Sequence, residues 1–431
     1  APDKDRGMLS VQENETLTRV GPGTPMGNLL RRYWFPIATI TEMRERWTKR
    51  VRLLGEDLVL FKDRNGRYGL LAEFCPHRRA SLAYGIPESD GIRCPYHGWK
   101  FDGTGRCLEQ PNEPEGSTFK EKIKTPGYPV EELGGLLFAY LGPPPAPLVP
   151  RLDGYVADPA IRLVGQAVIP CNWLQIMENS LDPVHTEWLH GKLYEFRKEQ
   201  EGVKVAISKH HLKIAFDEFE YGIYKRRLLE GADEATSSDW LVGHPVIFPY
   251  TLAVGQSGGA WKVHAFQIRV PMDDTNTLHL WYNAYIPPED AEVPRRLLED
   301  VPLYEVPYRD ERGEFLLDVI DAQDIMAWIT QGPIADRSQE SLGTTDRGII
   351  LFRNILRREL KKVEEGRDPM GVIRDPAKNR IIEIPMEQGK VHYSDGFASM
   401  VRRTRIRFSP IAEDLIAVFS PKEKEKEPVH A

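Results

Sequence analysis

Apolar side chains first recur at helical spacing at Met26, Leu29, Leu30 and Tyr33, behind Thr24-Pro25, which puts a capping hydroxyl before a proline at the first helical position. A helix is therefore expected within 8–35. From about residue 36 to 142 the period drops to two, in short runs such as Val51–Leu54 and Leu58–Phe61. Asp63-Arg64-Asn65-Gly66 supplies a hairpin turn, and Gly98–Phe101 followed by Asp102-Gly103 and Gly105 supplies a returning hairpin. The proline run across 143–150 suits neither helix nor central strand and marks a boundary. Beyond it, apolar positions 173, 174, 177, 181, 184 and 188 predict a helix. The runs 204–207, 240–242, 265–270 and 277–282 predict strands, with a polar loop at 229–239 that could close as a lid. A long helix is expected from about Asp346 to Glu365, capped by Thr345 and stopped at Gly366.

These signals divide the chain into an N-terminal extension and helix (1–35), an all-β domain (36–142), a proline-rich linker (143–150), a second domain (151–420) and a charged tail (421–431). With 431 residues, 41% of them hydrophobic, two cores are affordable. A net charge of −7 argues against a general nucleic-acid binder, and no apolar run approaches the roughly 20 residues of a membrane span. Without a signal-peptide pattern the expected address is cytoplasmic, with Cys107 and Cys171 as reduced core thiols. Gly21-Pro22-Gly23 lacks the leading strand of a nucleotide fingerprint, and residues 1–7 are assigned no function.

The chemistry concentrates at two places. In the first, Cys75-Pro-His77 and Cys94-Pro-Tyr-His97 each offer one sulfur and one imidazole. A structural zinc site usually takes its ligands knuckle by knuckle, whereas a [2Fe–2S] cluster with two cysteines on one iron and two histidines on the other accommodates this interleaving. The pattern resembles a Rieske cluster, with zinc as the alternative. Pro76 and Pro95 stiffen the loops, and Trp99 is expected to pack beneath the cluster.

In the second, Asn179, Asp182 and His185 recur every third residue, and His190 follows five residues after His185. Five residues turn an ideal helix about 140° past a full turn, so the two imidazoles converge only if the helix breaks, widens or ends between them. Two histidines with one carboxylate suit a mononuclear iron with open positions. Among Asp318, Asp321 and Asp324, the last has the most apolar following sequence and is the expected third ligand, with Asp321 next in order.

Together, Cys75-Pro-His77, Cys94-Pro-Tyr-His97 and Asp182-Pro-Val-His185 with His190 resemble the oxygenase α subunit of Rieske non-haem iron aromatic-ring-hydroxylating oxygenases. Leu17–Gly21, Leu30–Trp34 and Gly332–Arg337 through Gly343 are similar to its phthalate dioxygenase-like branch. The resemblance implies an α+β fold, with an all-β Rieske domain followed by a helix-grip-like catalytic domain of antiparallel sheet with covering helices. It implies a homotrimer or stacked hexamer in which one subunit's cluster meets its neighbour's iron. The cluster would rest on Cys75, His77, Cys94 and His97, and the iron on His185, His190 and Asp324. Asp182 would bridge the two centres and Asn179 would lie near the iron.

Dioxygen would be a co-substrate, and NAD(P)H would act only through a separate flavin and iron–sulfur reductase. The expected substrate is an aromatic acid of phthalate, benzoate or phenoxybenzoate type, hydroxylated as a cis-diol. Within Tyr224–Arg227 and His244-Pro245, Arg226 and His244 are the candidate contacts to an anionic group. The alternatives are a Rieske monooxygenase performing O- or N-dealkylation or ether cleavage, and a ferredoxin-like electron carrier without mononuclear iron.

Overall fold

A computed structural model describes residues 8–258, 261–387 and 396–420; the expected charged tail and residues 1–7 lie outside them. The predicted N-terminal helix is two short ones. Val11–Thr18 is opened by a Ser10/Glu13 capping box, and Pro25–Leu30 by Thr24, whose hydroxyl accepts from Gly27 N at 3.1 Å. Both lay apolar residues against the first strand, Trp34–Thr39, which pairs antiparallel with Leu136–Tyr140.

The β-rich part comprises that sheet and two four-stranded ones. The order in one is Thr48–Leu53, Glu56–Lys62, Tyr68–Ala72, Gly127–Tyr128; the other runs Ile86–Glu88, Gly91–Arg93, Lys100–Phe101, Cys107–Glu109. The predicted turn at 63–66 connects two of these strands, with Gly66 at φ 81°. Only glycine adopts that conformation without cost. The Cys75 and Cys94 loops rise from these strands over a small core of Val59, Phe61, Leu71, Leu82, Ile92 and Phe101.

The C-terminal part is built on one eight-stranded sheet. Its order is His211–Phe219, Gly222–Leu229, His244–Ile247, Thr251–Gly258, Trp261–Pro271, Thr277–Ile286, Ile161–Ile169, Leu303–Glu305. All pairs are antiparallel except the last. Alternate residues reach opposite faces. Phe266, Ile268, Val270, Leu280 and Tyr282 join the core shared with the β-rich part. Val263, Ala265, Trp281 and Tyr285 pack towards the helices Ile320–Thr330, Phe397–Arg403 and Ala412–Phe419. Because both faces are covered, Thr277–Ile286 is almost continuously buried, its polar Thr277, His279 and Asn283 included, rather than strictly alternating.

Several local expectations change. Residues 204–207 are not a strand, because the Glu195 carboxylate takes the Ile207 and Ser208 N–H groups at 2.8 and 2.7 Å. Residues 240–242 are not one either. Ser238–Leu241 forms a helical turn, with Ser237 O accepting from Leu241 N at 2.9 Å. The long helix is Arg347–Glu364, ending before Gly366 at φ 74°, but Thr345 sits in a preceding 3-10 turn and Asp346 holds the cap position. No helix among the described residues is long and apolar enough to cross a membrane.

Candidate active site

The two cysteine loops share one backbone design. Cys75 N donates to Ala80 O at 2.9 Å and Arg79 N to Cys75 O at 2.9 Å; Cys94 N donates to Trp99 O at 2.8 Å and Gly98 N to Cys94 O at 3.1 Å. The residue four past each cysteine is left-handed, Arg79 at φ 65° and Gly98 at φ 74°. Both thiols are buried, and burial leads the influences that push Cys75 up to about 12, so its thiolate form needs a compensating cation. The rings of His77 and His97 lie with centroids 4.6 Å apart, and Trp99 stacks on His77 at 4.4 Å as a buried supporting plane. Among the described residues, these four side chains do not form a knot of three ligand atoms within 4.8 Å, as one tetrahedral zinc would require. A cluster spanning two irons fits their separation better.

The predicted helix through 172–191 is interrupted. Trp173–Asn179 ends in a turn, His185–Glu187 adds one helical turn, and Trp188–Lys192 is a π-helical turn in which Leu193 N donates to Trp188 O. That widened turn brings residues five apart onto one side. The His185 and His190 rings accordingly meet at 5.2 Å between centroids. Gly191 is required there, since a Cβ would lie 2.7 Å from the Ser208 side chain.

Asp324 arrives from the helix Ile320–Thr330. Its Oδ1 lies 3.2 Å from His190 Nε2 and 3.6 Å from His185 Nε2, buried and accepting no hydrogen bond. Two donors at about 2.1 Å from one metal are at most about 4.2 Å apart, so these separations fit a shared ion. This trio is the one group of three ligating side chains within 4.8 Å among the described residues. Of the other two aspartates, Asp321 binds Arg405 at 3.1 Å and Asp318 pairs with Arg407 at 3.2 Å, so neither reaches the histidines.

Both ring tautomers are set from behind. Gln323 gives its amide N–H to Leu317 O at 2.8 Å, so its oxygen is what faces His190 Nδ1 at 2.8 Å, and the ring must donate there. The Asp182 carbonyl, which can only accept, lies 2.5 Å from His185 Nδ1. Each Nε2 lone pair is thereby turned towards Asp324. Burial pushes the His185 pKa down to about 4, favouring the neutral ligating form. For Asp324, burial alone would raise the pKa, but the charged form of His190, whose own pKa this carboxylate raises against burial, outweighs it together with His185 and Arg269 and holds the carboxylate below its usual range where no metal stands between them.

Asp182 does more locally than the sequence suggests. Its Oδ1 accepts from Val184 N at 2.9 Å and His185 N at 3.3 Å, while Oδ2 stands 3.8 Å from His185 Nδ1 on a side chain 30% exposed. Asn179 closes the preceding turn, its carbonyl accepting from Asp182 N at 3.1 Å.

The two expected substrate contacts, Arg226 and His244, both have partners within the chain. Arg226 lies on the outer face of Gly222–Leu229, binding Asp217 at 2.7 Å and the Trp240 carbonyl at 3.2 Å. Its neighbours Lys225 and Arg227 alternate to the buried face, where Arg227 donates to Thr186 Oγ1 at 2.9 Å. His244 shares that face opposite Lys225, but its Nε2 is 3.1 Å from Asp239 and 3.3 Å from Glu387. Carboxylates of the chain itself therefore occupy the imidazole. Sequence reasoning also missed Gln323 and the fully buried Arg269, whose charge acts on Asp324 and whose own pKa burial pushes down to about 9. The alternation Gln267-Ile268-Arg269-Val270 was the available signal for Arg269.

Comparisons with known proteins give the family. The Rieske [2Fe-2S] domain family matches residues 33–129, and the family described as LigXa C-terminal domain like matches 307–386, the stretch that carries Asp324. The chain is 44% identical to the 5,5'-dehydrodivanillate O-demethylase oxygenase subunit of Sphingobium sp. (strain NBRC 103272 / SYK-6), over 88% of this chain and 87% of that protein. It is 34% identical to the phthalate 4,5-dioxygenase oxygenase subunit of Pseudomonas putida, over 87% and 91%. A fluorene-bound oxygenase and ferredoxin complex of carbazole 1,9a-dioxygenase has the same fold at TM-score 0.58 and 18% identity, covering 86% of this chain and 99% of that one. With two paired-residue loops of Rieske type, and relatives of this identity along most of its length, the chain belongs to the Rieske non-haem iron oxygenases, as an oxygenase subunit of the phthalate dioxygenase-like branch that incorporates dioxygen.

Proposed function

We propose that this oxygenase acts on an aromatic carboxylate, and that its leading reaction removes the methyl group of an aryl methyl ether. In balance, the ether, dioxygen, two electrons and two protons give a phenol, formaldehyde and water. The 44% relative named an O-demethylase favours this reading. Ring cis-dihydroxylation has the same demand for electrons and protons and is the second reading, favoured by the 34% relative named a phthalate dioxygenase.

The observation that carries either reaction is the convergence of His185 Nε2, His190 Nε2 and Asp324, with both Nδ1 atoms tied back. These three would hold the mononuclear iron, and Cys75, Cys94, His77 and His97 the [2Fe–2S] cluster. When bound, the iron supplies a redox-active centre with open coordination positions. The chain's own part is to orient the rings through Gln323 and the Asp182 carbonyl, to keep Asp324 ionised, and to exclude water by burial.

We assign NAD(P)H oxidation to a separate reductase, since the sequence has no nucleotide fingerprint. The subunits form a trimer, alone or stacked as a hexamer, in which the exposed His77 tip of one subunit seats over the partly exposed Asp182 of the next, whose carboxylate then links the two centres. The domain limits proposed are 36–142 for the Rieske part and 151–420 for the catalytic part, joined by 143–150.

The test has two stages. Metal and sulfide analysis should find about three irons and two sulfides per chain; two irons would reduce the protein to a carrier, and zinc without sulfide would overturn the proposal. Methoxylated and plain aromatic acids are then screened for substrate-stimulated oxygen uptake with a surrogate reductase. Formaldehyde with a phenol identifies demethylation, and a cis-diol identifies ring attack.

A further inference from the structure

A groove of about 550 Å³ lies on the β-rich part, at its border with the large sheet. Arg46, Lys49, Arg50, Arg52 and Tyr84 line it from the β-rich part, and Gln166 from the large sheet. Its charge runs against that of the chain, which is −7 overall. Arg52 is held by Asp57 and Asp273 at 2.9 and 3.4 Å, whereas the acidic partners of the other three cations sit low. Glu42, 11% exposed, pairs with Lys49 and Arg46, and Glu73, 8% exposed, pairs with Arg50. The Arg46 and Arg50 side chains are 52% and 55% exposed, so the positive ends of the pairs face solvent. Tyr84 is 70% exposed, with the Arg50 guanidinium 5.0 Å above its ring. Cations around an exposed aromatic ring form an adhesive surface for an acidic protein.

The groove is continuous with the first cluster loop. Glu73, two residues before Cys75, accepts from Arg50 at 2.8 Å and from Ser81 Oγ at 2.6 Å, and its carbonyl accepts from Leu82 N at 2.7 Å. Thr48 Oγ1 donates to Ala83 O at 2.6 Å. The wall bearing Tyr84 is thus the continuation of the loop that carries Cys75 and His77, and an object seated in the groove is next to that loop.

We propose that this groove is the docking site of the electron donor, an acidic [2Fe–2S] domain of the plant ferredoxin type. One electron passes per encounter: the donor cluster is oxidised, the Rieske cluster is reduced, and no bond forms or breaks. Histidine ligation gives the Rieske cluster the higher potential of the two, so the transfer runs downhill. The positive groove raises the encounter rate at low ionic strength, where the screening length is about 30 Å at 0.01 M against about 3 Å at 1 M. This inference rests on the reading of the chain as an oxygenase reduced by a separate protein.

The test uses the cluster-loaded full chain with a plant-type [2Fe–2S] ferredoxin as probe. Calorimetry with the oxidised ferredoxin reads binding, and stopped-flow absorbance with the reduced ferredoxin reads cluster reduction. At low salt, Arg46→Glu and, separately, Arg50→Gln should weaken binding and slow reduction by about tenfold, with the difference vanishing at high salt. Reduction by dithionite should be unchanged, and Arg367→Glu, at an exposed position outside the groove lining, should behave as the parent. Unchanged binding in both groove variants, or an equal loss in Arg367→Glu, overturns the proposal. So does a drop in oligomeric mass on sedimentation of Arg46→Glu, which would make the groove a contact between copies. Failure of the underlying reading looks different, because the chain would then lack a dithionite-reducible Rieske spectrum.

Discussion

Replacing Gln323 with leucine tests whether the ligand set is organised from behind. The side chain is fully buried and makes two hydrogen bonds, accepting from His190 Nδ1 and donating to Leu317 O, both at 2.8 Å. Leucine fills nearly the same space but satisfies neither group. The Leu317 carbonyl loses a donor, at about 1–3 kcal/mol of folding stability if nothing replaces it. His190 loses what selects its tautomer. Removing such a partner typically weakens metal binding by about 10- to 100-fold, or roughly 1.4–2.7 kcal/mol. The expectation is a variant that folds, keeps its Rieske absorbance, and binds Fe(II) at the mononuclear site about 10- to 100-fold more weakly in competition with a chelator. Gln323→Glu, which keeps the acceptor, should retain most of the affinity. An Fe(II) affinity within twofold of the parent in Gln323→Leu would refute the reasoning, since His190 would then hold its orientation without the amide.

Three further outcomes follow from the same geometry. Glu178 is bound by Arg337 at 2.8 Å and Arg353 at 2.7 Å in the interior; burial alone would raise its pKa, but the two guanidiniums outweigh it and lower it below 4.5. Its contribution is therefore complete above the unfolded-state pKa and lost as pH falls through the lower folded value, so Glu178→Ala should cost about 3–5 kcal/mol at pH 7 in urea unfolding and flatten the acid limb of the stability curve. Gly98→Ala forces a Cβ to 2.8 Å from Pro111 Cγ at φ 74° and should cost at least about 1 kcal/mol and cluster content, whereas Arg79→Gly, at φ 65°, should melt no lower than the parent in calorimetry. Asp182→Asn keeps the Oδ1 acceptor for the Val184 and His185 N–H groups; it should leave about three irons per chain in place yet lose most substrate-coupled oxygen uptake, and full coupled turnover would defeat the bridging role.

What was readable in the sequence follows the range of the interactions involved. The cluster loops are local. Each closes on itself within six residues, through bonds such as Cys75 N to Ala80 O and Cys94 N to Trp99 O, so ligand spacing alone conveys their form. The strands 261–271 and 277–286 are legible because alternation or continuous burial is written into their own residues. The stretch 204–207 has the same apparent alternation, yet Glu195, a residue of the preceding helix, takes the Ile207 and Ser208 N–H groups at its end. Composition carries no trace of that competition.

The site divides in the same way. His185 and His190 announce themselves by type, and the need for an irregular helix between them follows from the 3.6-residue period, but a π turn, a break and a helix end were equally compatible with Pro183 and Gly191. The structure selects the π turn, since Gly191 must pass within contact of Ser208. The three adjacent cations are the sharper case. Lys225, Arg226 and Arg227 are alike in chemistry, and alternation says only that the middle one opposes its neighbours. Which face turns inward depends on register with the next strands, where Lys225 meets His244 and Ala215 meets Arg226, and on the irregularity between His211 and Lys213 that resets the edge. A one-residue slip there would send Arg226 to the buried face and expel Lys225 and Arg227. The cationic content of the catalytic sheet is thus a property of the sequence, while its sidedness belongs to strand pairing.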